Sequence, residues 1–172
     1  MTISDYKIPR PASDIEDYDL FWAIVEPMWD ALDFYEEPER AAKFFRSVSP
    51  AHGGMIALWW CRSEVCNGGF HQFFGNSTGM IWPQALDGFK LVGAVSHAAL
   101  LEKALQVFPG GLPPLERNRR EEFLELNEHR SHILDPLDTA FYVLERDSGL
   151  NLDSICAKYI RSRPGEFFRD ST

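Results

Sequence analysis

Cysteine is scarce. Cys61, Cys66 and Cys156 are an odd set without a C-x-x-C pair, which excludes a disulfide framework and a paired-thiol redox motif. Cys61 and Cys66 lie five apart on one expected helix and point to different faces, so they read as core fillers. The five histidines, His52, His71, His97, His129 and His132, show no H-E-x-x-H or Cys/His ligand spacing, and neither a metal nor a cofactor is expected. His129 and His132, with Arg130 between them, read as a polar helix end. A phosphate loop, a dinucleotide fingerprint and a G-x-S-x-G elbow are also missing. No apolar run approaches the roughly 20 residues of a membrane span; the longest, 53–61 and 91–101, are too short or carry a His. The N-terminus is acidic and has no signal-peptide apolar region, which predicts a cytoplasmic protein. Alternating strand patterns, internal repeats and low-complexity linkers are absent. These exclusions leave an all-α fold, a single compact multi-helix domain.

Basic residues are missing from one long stretch. Between Asp14 and Glu39 stand ten acids and no Lys or Arg: Asp14, Glu16, Asp17, Asp19, Glu26, Asp30, Asp33, Glu36, Glu37 and Glu39. Residues 1–40 hold 11 acids and three bases, so most of the formal net charge of −9 sits there. The same stretch reads as helix. Ser13 and Glu16 form a capping box, and Leu20, Phe21, Ile24, Val25, Met28, Trp29 and Leu32 make an apolar stripe that must face the core. Pro27 is expected to kink or divide this helix. The carboxylates fall on the remaining arc, where a single-sign field attracts basic partners and speeds their association. The plainer reading is solvation, because acids at a helix start and in the loop at 36–39 are favoured for local reasons.

The stretch at 64–79 sets polar turn formers against aromatics. Asn67, Gly68 and Gly69 are expected to end one helix and start another. Phe70, Phe73 and Phe74 recur at helical spacing and give the second segment an aromatic face, with His71 and Gln72 projecting elsewhere. Residues 75–79, which include Asn76, Ser77 and Gly79, read as a loop. Glu64 and His71 lie seven apart across the break and are candidates to converge on a substrate. No nucleophile has a recognised setting, however, so Glu64 and Gln72 are expected to satisfy backbone groups at the break, and no catalytic residue is assigned.

The core Glu64-x-x-Asn67-Gly68-Gly69-Phe70-x-Gln72-Phe73-Phe74, preceded by Trp59-Trp60 and followed by Gly93-Ala94 and 98–101, resembles the DNA mimic protein 19 family. The resemblance covers roughly residues 49–168, on the scale of one domain. It implies an all-helical domain and, as in the family's namesake, a homodimer whose acidic surface imitates the DNA backbone and occupies a transcription factor. The chain thus divides into an acidic N-terminal helical segment, 1–48, packed on a family-like domain, 49–168.

Further helices are expected at 38–47 (apolar face Ala41, Phe44, Phe45), 50–67, 82–92, 96–107 with Ser96 as cap, 115–127, 135–147, and to 161 with Asp153 or Ser154 as cap. Residues 109–114 are the clearest loop. The only basic cluster, Arg117, Arg119 and Arg120, is too small on an acidic chain for direct nucleic-acid binding and is expected to anchor the protein's own carboxylates, within the chain or across a dimer. Three functions compete. The first is a non-enzymatic protein that mimics DNA and sequesters a basic DNA-binding protein, helix-turn-helix or histone-like. The second is a small-molecule-binding module or enzyme centred on 64–79. The third is a helical, immunity-like protein that binds a basic partner without mimicry. None of them involves a membrane.

Overall fold

A computed structural model describes residues 7–8, 14–29, 32 and 38–168. Ser13, Asp30, Asp33, Glu36, Glu37 and the His129 side chain lie outside that description, and with them the capping box and four of the ten acids. The described residues form nine α-helices and no strand: α1 (Asp17–Trp29), α2 (Pro38–Ser47), α3 (Pro50–Gly75), α4 (Trp82–Val92), α5 (Val95–Leu105), α6 (Arg117–Leu126), α7 (Asp135–Arg146), α8 (Leu152–Arg161) and α9 (Pro164–Phe167). An isolated bridge joins Ile8 to Phe168.

Helix α3 is the axis of the molecule. Its first turns are apolar on every side, and Ala51 to Trp59 are all buried, as expected of a helix enclosed by others. It packs most extensively against α4 and also against α1, α6 and α7. The α3–α4 crossing is close because it is made by glycines: a Cβ on Gly88 would lie 3.1 Å from the Gly54 Cα. Ser49 caps the start of α3, its hydroxyl accepting from the His52 amide at 3.2 Å.

Helix α1 lies on α3 and α8. Leu20, Phe21, Ile24, Val25 and Met28 of the stripe read from the sequence are buried, as is Leu32 beyond the helix, whereas Trp29 is half-buried. Pro27 does not divide the helix. It falls in the last turn, where it withdraws a single N–H, and α1 continues to Trp29. Arg62 of α3 ties the bundle together: it bonds Asp153 of α8, stands 3.8 Å from Glu145 of α7, and lies 4.6 Å over the Trp59 ring.

Several boundaries depart from the sequence reading. Gly93, at φ 81°, ends α4, and Ala94 precedes α5, so Ser96 sits inside the first turn and caps nothing. Asn151 caps α8 by accepting from the Ser154 amide at 2.9 Å, while Asp153 is committed to Arg62. Residues 75–79 are not a plain loop, since Ser77–Ile81 is a 3-10 helix with Thr78, Gly79, Met80 and Ile81 buried. Further 3-10 turns occupy Pro109–Gly111 and Glu128–Ile133.

Candidate functional site

The break in α3 is real: Gly68 and Gly69 both leave the helical conformation, and Gly69 alone takes a positive φ. Gly69 has φ 73° and ψ −178°, whereas Gly68 has φ −156° and ψ 26°; no non-glycine residue has positive φ among the described residues. Asn67 therefore does not take the left-handed conformation. A Cβ on Gly69 would lie 2.7 Å from the Asp138 carboxyl carbon, so the position tolerates neither the conformation nor the volume of another residue. Asp138 Oδ1 accepts from the Phe70 amide at 2.8 Å, satisfying a donor released by the break. Burial raises the Asp138 carboxyl above its usual range, and the Phe70 amide opposes that shift.

Glu64 is buried and binds the two sides of the break together. Its Oε2 accepts from Gln72 Nε2 at 2.7 Å and Asn76 Nδ2 at 2.8 Å, and its Oε1 accepts from the Thr78 hydroxyl at 2.8 Å. Asn67 Nδ2 in turn donates to Gln72 Oε1 at 3.1 Å. The expectation that Glu64 and Gln72 serve backbone groups is corrected: they serve side chains, and Asp138 serves the backbone. A knot of this kind stays stable in the interior because each member has its partner.

Arg120 closes the other side. It is fully buried and donates to four carbonyls: Nε to Phe74 at 2.7 Å, Nη2 to Asn76 at 2.7 Å, and Nη1 to Pro114 at 2.9 Å and Leu115 at 2.6 Å. The carbonyls at the end of α3 have no helical partners, and a planar guanidinium with five donors meets several at once. Burial pushes the Arg120 guanidinium down to about 10, which leaves it charged at neutral pH. The expected anchoring of carboxylates by the basic cluster is thus corrected for Arg120, which holds backbone instead. Arg117 does pair with Glu121, at 2.7 Å.

Phe70, Phe73 and Phe74 are buried as the spacing requires; Phe70 packs on Phe141, Phe74 on Phe108, and Phe73 on Phe74. His71 is exposed. It borders an open groove of about 680 Å³ with Gly68, Gln72, Asn76, Leu124 and Glu125. Glu64 and His71 do not converge, because Glu64 is enclosed by its three donors while His71 faces outward. Among the described residues no three His, Cys, Asp or Glu side chains converge on a metal position. Sequence reasoning does not single out Thr78 or Asp138, and it names Arg120 only as one of a basic cluster expected to hold carboxylates. Thr78 was hidden in an apparent loop, Arg120 in a basic run, and Asp138 lies 68 positions from its partner Phe70.

The acidic stretch is placed in part. Asp14, Glu16, Asp19, Glu26 and Glu39 are exposed. Asp17 is half-buried and paired at 2.5 Å with Arg161 of α8, so the run without bases in sequence acquires one in space. Among the described residues no helix is long and apolar enough to cross a membrane.

No curated protein and no solved structure matches the chain. The family described as DMP19-like protein matches residues 46–163. That span contains α3 with its glycine break, the Glu64 knot, Arg120 and Asp138, and excludes α1. By this match, over more than half of its length, the chain belongs to the DMP19-like protein family.

Proposed function

We propose that this chain is a non-enzymatic interaction protein that presents an ordered acidic face, in place of DNA, to a basic DNA-binding protein, either a transcription factor or a histone-like protein. In this reading it works in the cytoplasm as a homodimer. One observation carries the proposal: Asp19 and Glu26 are exposed on a helix whose opposite stripe is buried, with Asp14 and Glu16 exposed at its start. Carboxylates fixed in this way keep their spacing and need little ordering on binding, unlike charges on a loose tail. The Arg161–Asp17 pair holds the start of α1 to α8, while it neutralises one carboxylate of the stretch. Membership of the DMP19-like family is consistent with the proposal.

The test is capture of the partner from native cytoplasm, release with a salt gradient, and competition with duplex DNA. The double variant Asp19→Lys, Glu26→Lys is expected to keep its helical circular dichroism yet lose the partner, and the residual binding should depend less on salt. Equal binding by the double variant, or a partner that holds DNA and this protein together, contradicts mimicry. A partner lost by the variant but indifferent to DNA supports the immunity-like alternative. The groove beside His71 is the observation that favours a small-molecule module or enzyme, but its Gln72 and Asn76 amides are already committed to Glu64.

A further inference from the structure

Six aromatic residues meet where α1 crosses α3, and they do not all serve the core, although Phe21, 5.1 Å from Trp59, is fully buried. Trp22 lies 4.8 Å from Trp59 and 5.5 Å from Trp29, Trp29 stacks on Trp60 at 4.0 Å, and Tyr18 lies 5.6 Å from Trp59. Trp59 forms the floor of the cluster, at 8% exposure. Tyr18 is 51% exposed, and Trp22, Trp29 and Trp60 are half-buried.

The helical register interleaves this cluster with charge. Tyr18, Trp22 and Glu26 succeed one another by four residues and share one ridge of α1, with Asp19 beside them. A purely solvated face has no use for aromatic rings, and a purely electrostatic mimic of phosphate has none either. The cluster already receives one cation, since the Arg62 guanidinium lies 4.6 Å over Trp59 while Asp153 holds its charge. On the outer face Asp19 and Glu26 stand exposed on the same helix as Tyr18 and Trp22, in a stretch, 14–39, whose sequence contains no Lys or Arg.

We propose that the Tyr18–Trp22–Glu26 ridge is a docking surface for an arginine-bearing segment of a basic protein, with guanidinium planes laid on the rings and paired to Asp19 and Glu26. This inference rests on the acidic-face reading above and adds what that face selects. Arginine fits better than lysine because its guanidinium is planar, weakly hydrated and stacks on aromatic faces, whereas an ammonium is a compact, strongly hydrated point charge. The carboxylates provide a field that salt screens. The rings add a contact that survives at higher salt.

The test uses labelled nona-arginine and nona-lysine peptides as probes, followed by fluorescence anisotropy on the full chain at low and high salt. Nona-arginine is expected to bind about five-fold tighter than nona-lysine at an ionic strength of about 0.15 M, and to shift the tryptophan emission. Tyr18→Ala and Trp22→Leu should each reduce that preference and leave nona-lysine binding nearly unchanged. Asp19→Asn with Glu26→Gln should weaken both peptides and lower the salt dependence. Tyr18 is exposed, so its variant reports even where Trp22→Leu lowers the melting temperature. Equal affinity for the two peptides, or a preference that persists in a folded Tyr18→Ala variant, overturns the proposal while leaving the acidic-face reading standing. Failure of both peptides to bind overturns the two together. An arginine preference combined with a natural partner indifferent to DNA sinks the mimicry reading alone.

Discussion

Asp138 stands against Gly69: its carboxyl carbon lies 2.7 Å from where a Cβ on Gly69 would be, and the same carboxylate accepts the amide of the next residue, Phe70, at 2.8 Å. One acid on α7 thereby fixes both the conformation and the identity of a residue on α3. The break is thus a tertiary feature as well as a local one.

Gly69→Ala is expected to destabilise the protein by about 1 to 3 kcal/mol, from positive φ and the collision with Asp138 together. Gly68→Ala should cost less. Its φ of −156° lies outside the positive region, so only the crowding remains: a Cβ there would press on the Gln72 side chain and disturb its bonds to Asn67 and Glu64. Urea melts of the two variants, compared at constant slope, give the order directly; the reverse order would refute the assignment of Gly69 as the determinant.

Glu64→Ala removes the acceptor of three side-chain donors, of which the Thr78 hydroxyl is left buried. A loss of about 1 to 3 kcal/mol or more is expected. In a double-mutant cycle with Thr78→Val the coupling should reach about 0.5 kcal/mol or more, because the two side chains share one bond. Additive losses would show that Thr78 is held by something other than Glu64.

Arg120→Lys keeps the charge but not the fork, and an ammonium with three donors cannot meet four carbonyls arrayed around a plane. The expected loss is about 2 kcal/mol, close to that of Arg120→Met. Hydrogen exchange should locate the opening at the end of α3 and in Ser77–Ile81. Retained protection there in the lysine variant would mean that charge alone suffices.

Cys66 is exposed, yet its thiol is pushed up to about 11, first by desolvation of the sulfur and then by the Glu145 carboxylate, with Arg62 opposing. The thiolate is the reactive form, so alkylation of the native protein should be slow at about pH 8 and should rise roughly tenfold per pH unit until near 11. Cys61 and Cys156 are buried and raised by the same cause, and should react only after unfolding. A rate that levels off near the ordinary thiol value of about 8.5 would contradict the assignment.

The sequence alone determined what short-range chemistry decides. Helical spacing of apolar residues set the stripe of α1 and the buried faces of Phe70, Phe73 and Phe74, because a side chain's direction follows from its position in the turn. The Asn67-Gly68-Gly69 run announced a break, since no other residues interrupt a helix so cheaply. Tertiary structure decided which glycine carries the positive φ, what satisfies the Phe70 amide, and where Arg120 points. Those outcomes depend on Asp138 and on the carbonyls of Phe74, Asn76, Pro114 and Leu115, which packing brings together from distant parts of the chain. Charge divides the same way. The absence of bases between 14 and 39 is plain in the sequence, but that Arg161 reaches Asp17 depends on how α8 packs against α1. Local propensities act within a turn at about a kcal/mol per residue, whereas the partner of a buried polar group is set by whichever donor or acceptor the packed core leaves beside it.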